Sequence, residues 1–106
     1  MTREIKPGGI YSVANGDGRF AVVKVLAVED GFAHIRLYKN KYAVRPEELD
    51  LSTLTLGTIF DEDGFGIGHT PIETEGFLNW EPELLAESPL TEKELEGYRL
   101  WKEAYD

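Results

Sequence analysis

The stretch Gly9–Lys39, GIYSVANGDGRFAVVKVLAVEDGFAHIRLYK, reads as three β-strands joined by two glycine turns, Asn15-Gly16-Asp17-Gly18 and Asp30-Gly31. A type I′ hairpin turn needs positive φ at both central residues, and Asp-Gly tolerates this well, so Asp30-Gly31 marks a two-residue loop. A register follows from that loop. Glu29 faces Phe32, and on the same side Ala27 faces His34, Val25 faces Arg36 and Val23 faces Tyr38. The other side pairs Val28 with Ala33, Leu26 with Ile35 and Lys24 with Leu37. Because Ala33, Ile35 and Leu37 alternate with His34, Arg36 and Tyr38, the second side is the expected core. The strand Phe20–Val28 is apolar on both sides, so its outer side needs a cover: a curled sheet, a small barrel closed by later strands, or a docked helix.

Working outward, Pro7-Gly8 punctuates the chain before the first strand, and Asn40–Arg45 has a basic, loop-like character. Pro46-Glu47-Glu48-Leu49 suggests a helical turn with Pro at its first position. A short strand is expected around residues 58–60 and another through Gly66–Ile72. A short helix starting at Glu73 or Thr74 should carry Phe77, Leu78 and Trp80 and end at Pro82. The C-terminus is the clearest helix. Thr91 and Glu94 match a capping box, and Leu95, Tyr98, Trp101, Lys102 and Tyr105 fall on one side over residues 91–104. Gly97 inside it costs about 1 kcal/mol relative to alanine, which points to close approach of another element. Docking the Leu95/Tyr98/Trp101 stripe on the outer side of the hairpin would account for both the glycine and the apolar Val23/Val25 side.

The meander beginning Gly9-Ile10-Tyr11-Ser12-Val13, followed by Lys24–Gly31 and a strand carrying Ile35-Arg36-Leu37-Tyr38, resembles the opening of small SH3-like or Tudor-like barrels. The resemblance covers about the first 40 residues. It implies a recognition module for peptides, modified side chains or nucleic acid. Tudor-type binders use an aromatic cage, for which the nearest residues here are Tyr11, Phe32, Tyr38 and Tyr42. No cage motif matches residue by residue, and no role is carried over.

The 106 residues are enough for one core and imply a single domain over 1–106. The N-terminus lacks the apolar run of a secretory signal, and no window approaches the roughly 18 apolar residues of a membrane span, so a cytoplasmic location and no membrane partner are expected. With no cysteine, thiol nucleophiles and cysteine-based zinc sites are excluded. The net charge of −9 is uneven. Residues 1–50 carry eight Lys or Arg against seven Asp or Glu, whereas residues 51–106 carry three against thirteen. Such a chain should be repelled by nucleic acid and is suited to steering a basic protein partner.

Asp61-Glu62-Asp63-Gly64-Phe65-Gly66-Ile67-Gly68-His69 gathers three carboxylates and a histidine, but an EF-hand count from Asp61 puts Phe65 and Ile72 at ligand positions, and the glycine spacing departs from phosphate-binding loops. A solvated hairpin or connector is expected there. His34 and His69 have no nucleophile elbow to serve, so each should sit at the surface or play a satisfied structural role. The stripe Phe32, His34, Arg36 and Tyr38 combines aromatic rings with cations, the composition that dominates interfaces. Alternatively the C-terminal helix covers it, with Arg36 paired to an acid such as Glu94. Trp80 and the run Glu83, Glu87, Glu92, Glu94 and Glu96 read as a solvated acidic helix face with one large aromatic.

The expectation is therefore an α+β fold, a curled antiparallel β-meander or SH3-like partial barrel with a packed C-terminal helix. Its expected role is a non-enzymatic protein-interaction module with no cofactor or metal, binding through Phe32, His34, Arg36, Tyr38 and Trp80. The alternatives are an acidic immunity-type inhibitor of a basic toxin and a small metal-dependent enzyme around Asp61, Asp63 and His69.

Overall fold

The computed structural model describes residues 5–58, 60, 61 and 65–105. The fold is α+β. Strands β1 (Gly9–Ala14), β2 (Phe20–Glu29) and β3 (Phe32–Tyr42) form the meander, and β4 (Ile67–Glu73) and β5 (Glu83–Glu87) complete an open antiparallel sheet in the order β4-β3-β2-β1-β5. A short helix α1 (Thr74–Leu78) and the C-terminal helix α2 (Glu92–Tyr105) pack on it. Among the described residues no helix is long and apolar enough to cross a membrane.

The Asp30-Gly31 turn has the positive φ values that its sequence demands, 53° and 83°. It sets Glu29 against Phe32, Val28 against Ala33 and Ala27 against His34, as expected. Beyond Ala27 the expected register is wrong. Leu26 is an extra residue in a β-bulge, after which Val25 opposes Ile35, Lys24 opposes Arg36 and Val23 opposes Leu37. One added residue shifts every preceding side chain to the other side of the sheet. Val23 and Val25 thereby join Ala33 and Ile35 in one core, while Val22 and Lys24 turn to the opposite face.

That core contains Tyr11, Val13, Ala21, Val23, Val25, Ala33 and Ile35, closed by Phe77 of α1. Phe77 is fully buried, edge-on to Tyr11 at 6.0 Å and to Trp80 at 6.1 Å between ring centroids. On the opposite face Ile10, Val22 and Tyr38 pack beneath Leu49, Leu54 and Leu56 of the β3–β4 connection. Arg45 anchors that connection. It donates to the Ser12 carbonyl and hydroxyl, pairs with Glu83 at 3.0 Å and lies over the Phe20 ring.

Three local expectations are corrected. Residues 46–49 form no helical turn; the 3₁₀ turn lies at Leu51–Thr53, where Asp50 caps the Ser52 amide. Thr58 and Phe60 are not in a strand, and Ile59, the middle of the expected one, lies outside the described residues. Glu83–Glu87 is an edge strand, not a helix face: Glu81 takes a φ of 57° and Pro82 blocks helical continuation, leaving ELLAE extended beside β1. Helix α2 starts one residue after its capping threonine. Thr91 donates its amide to Glu94 at 2.9 Å and its hydroxyl accepts the Glu94 amide at 3.2 Å.

Candidate functional site

Helix α2 docks on the face opposite Phe77 and seals a pair of histidines. His34 reaches that face by strand alternation. His69 reaches it in the same way: Pro71 opposes His34 and Thr70 opposes Ile35, so residue 69 falls on the His34 side, and β4 bulges beyond Thr70, taking three steps to Ile67 where β3 takes two from Ile35 to Leu37. His34 Nδ1 lies 2.9 Å from His69 Nε2. The rings are within 8° of parallel with centroids 5.2 Å apart. That separation is the nitrogen contact extended by both rings, so the imidazoles lie edge to edge in a common plane, one nitrogen donating and the other accepting.

Tyr98 and Trp101 cover His34, each with its ring centroid 4.7 Å away and steeply inclined. Gly97 permits this approach, since a Cβ at that position would fall 2.8 Å from His69 Cβ. Two polar clamps fix the helix. Near its C-terminus the Tyr98 hydroxyl donates to Glu29, and Lys102 Nζ lies 3.3 Å from the same carboxylate. At its N-terminus Glu94, besides completing the capping box, accepts Lys24 Nζ at 2.9 Å, while Lys24 also donates to the Pro89 carbonyl at 2.9 Å. Lys24 is 3% exposed, so its charge is almost wholly desolvated and neutralised by the helix.

The electrostatics follow from that burial. Desolvation lowers the pKa of His34, with Glu29 opposing and Lys102 reinforcing the shift. Desolvation, followed by the His34 charge, lowers that of His69. Burial works to raise Glu94, but hydrogen bonds from Lys24 and the Thr91 amide outweigh it and hold the carboxyl below its ordinary range. The Tyr98 hydroxyl holds Glu29 low, and burial raises Tyr98.

Phe32, His34, Arg36 and Tyr38 share one face, and α2 with the β3–β4 connection lies over it. His34 and Tyr38 are buried, Phe32 is half-buried against Trp101, and Arg36 is half-buried at the rim. Glu94 pairs with Lys24 and not with Arg36, whose Nε makes only a long 3.4 Å contact to the Gly68 carbonyl. The α2 stripe meets His34 and not Val23 or Val25, which the Leu26 bulge turns to the other core. Trp80 is on the opposite side of the sheet, half-buried beside Phe77.

Asp61 accepts Lys39 Nζ at 3.0 Å and the Thr58 amide at 3.0 Å. His69 Nε2 is occupied by His34, and Asp63 and the side chain of Tyr105 lie outside the described residues. Among the described residues no three His, Asp or Glu converge as metal ligands. Sequence reasoning missed the histidine pairing and the burial of Lys24. The visible signals were a lysine inside the apolar run Ala21–Val28, a capping-box glutamate able to serve it, and a glycine inside a helix.

Open grooves lie on both faces of the sheet. One, about 310 Å³, is floored by Val13, Ala21 and Leu37 and walled by Trp80, with Asn15 and Asn79 at its rim. The other, about 410 Å³, runs between β4 and α2 past Arg36, His69, Lys93 and Leu100. No protein-family model, curated protein or solved structure matches this chain.

Proposed function

We propose that this chain is a single-domain, non-enzymatic protein-interaction module that takes an apolar side chain of a partner protein into the Trp80 groove. The observation that supports it is the groove's composition: an aliphatic floor, an indole wall and two rim amides, which combine desolvated area with orienting hydrogen bonds. The SH3-like reading of the meander belongs to the same proposal, since such folds present aromatic grooves to extended ligands. The metal-dependent enzyme draws no support from the engaged Asp61 and His69.

The test is selection from a displayed peptide library on the intact chain, with counter-selection on Asn79→Arg, which fills the groove from an exposed rim position, and on Trp80→Ala. Peptides sharing an apolar anchor that bind the parent and neither variant are expected. Recovery of peptides indifferent to both substitutions would overturn the proposal.

A second reading draws on the edge strand β5, where Glu81, Glu83 and Glu87 are exposed beside Leu84. An acidic inhibitor covering a basic site would use this edge, and its association would weaken steeply with added salt. Binding through Trp80 would not.

A further inference from the structure

We infer that the groove between β4 and α2 binds a carboxylate bearing an apolar substituent, held by Arg36 and Lys93 against Leu100. The chain has 20 Asp or Glu against 11 Lys or Arg, so its cations are expected to be claimed internally. Lys24, Lys39, Arg45 and Lys102 each sit on a carboxylate. Arg36 and Lys93 have no carboxylate partner among the described residues, and both line this one groove. Arg36 spends only its Nε on a long backbone contact, which leaves the terminal guanidinium nitrogens for the planar, two-oxygen geometry that a carboxylate offers.

Three further features suit the groove to a ligand. Gly68 contributes no side chain, and a Cβ there would come no nearer than 3.9 Å to Arg36 or Leu56, so the strand side of the groove stays open. His69 lines the groove and has its Nε2 committed to His34, which leaves Nδ1 as the nitrogen available to a ligand. Leu100 is 61% exposed on the wall, an apolar surface beside the two cations. The acids of the groove set the charge preference. Glu94 is neutralised by Lys24, whereas Glu96 is exposed and repels, so a monoanion is favoured over a phosphate dianion.

The test is a nuclear magnetic resonance titration of the full chain with isovalerate, acetate and inorganic phosphate at fixed ionic strength. Saturable shifts at the Gly68 and Gly97 amides and the His69 ring are expected, with isovalerate binding more tightly than acetate. Arg36→Gln should weaken isovalerate by about tenfold, the worth of one charged hydrogen bond. Lys93→Gln, at an exposed position, should weaken it as well and keeps the test decisive if the Arg36 variant is poorly folded. Glu96→Gln should tighten it. Shifts that do not saturate, affinities unchanged in all three variants, or phosphate binding more tightly than isovalerate would each overturn the inference.

Discussion

On the Phe77 face of the sheet the packing is mainly apolar, with Tyr11, Val13, Val23, Val25 and Ile35 closing around one aromatic ring. On the His34 face the buried polar side chains Ser12, Lys24 and His34 all point the same way, and each meets a partner from a distant segment: Arg45, Glu94 and His69. The first kind of contact is non-directional and accumulates with area. The second gains little net stability, because desolvation offsets attraction, but a misplaced partner would leave a buried charge or donor unpaired. The difference assigns the two faces different tasks. Apolar burial stabilises the sheet, while polar pairing fixes where α2 and the β3–β4 connection dock.

The comparison breaks most severely at Phe77. Phe77→Ala removes a fully buried ring from the apolar face and should cost about 3–5 kcal/mol, read as a loss in the denaturation midpoint with α2 and sheet unfolding together. On the polar face Lys24→Met keeps most of the volume but strands Glu94, and about 3 kcal/mol should be lost. The double variant Lys24→Met with Glu94→Gln should recover most of that loss, since the unpaired charge and not the missing attraction carries the penalty. Equal destabilisation by the single and double variants would show that the pair itself supplies net stability, and the contrast between the faces would fail.

The meander was legible because Asp30-Gly31 demands one turn geometry and the alternation of Ala33, Ile35 and Leu37 is clean. Helix α2 was legible from Thr91, Glu94 and its aromatic stripe. The Leu26 bulge was not, because a strand apolar on both sides carries no period for a shift to interrupt, and the register beyond Ala27 was lost with it. For the same reason Lys24 looked like an alternation partner of Leu37 when it is a buried cation awaiting a glutamate 70 residues away. His34 and His69 are 35 residues apart, and only the long-range pairing of β3 with β4, which no local pattern specifies, puts them on one face. Strand β5 was obscured by its glutamates, which suit a solvated edge as well as a helix face.

The polar face should also respond to pH where the apolar face does not. Burial depresses His34 and His69 below their ordinary value of 6.5 in the folded state. In the window beneath that value the unfolded chain binds more protons than the folded one, so stability rises with pH there. The contribution is complete above about pH 6.5 and is lost as pH falls toward the depressed folded values. Glu29, held low by Tyr98, adds a separate loss only as pH falls below its ordinary 4.5. A thermal-melt series from pH 8 to 3 should therefore fall already above the carboxylate range. A His34→Phe/His69→Leu variant should flatten the upper part of that profile and leave the acidic part in place. An unchanged upper slope in that variant would remove the histidine pair as the source.

The smallest effect is expected at Gly97, where two terms of opposite sign nearly cancel. Alanine in the middle of a helix is favoured over glycine by about 1 kcal/mol. Against this, a Cβ at Gly97 would lie 2.8 Å from His69 Cβ, closer than carbon atoms can sit, and the obstacle is the root of a side chain and not its flexible end. Relief would require α2 to lift, and lifting would lengthen the Tyr98 and Trp101 contacts over His34 and strain the Lys24–Glu94 pair at the same time. Overpacking of this kind costs about 1–3 kcal/mol, so Gly97→Ala should destabilise the protein by about 1 kcal/mol net. Pairing it with His69→Gly, which removes the obstructing Cβ, isolates the steric term. In that background alanine should become the more stabilising residue, because its helix propensity then acts alone. If Gly97→Ala stabilises the parent outright, α2 does not press on His69 as described, and the polar face is looser than the apolar one.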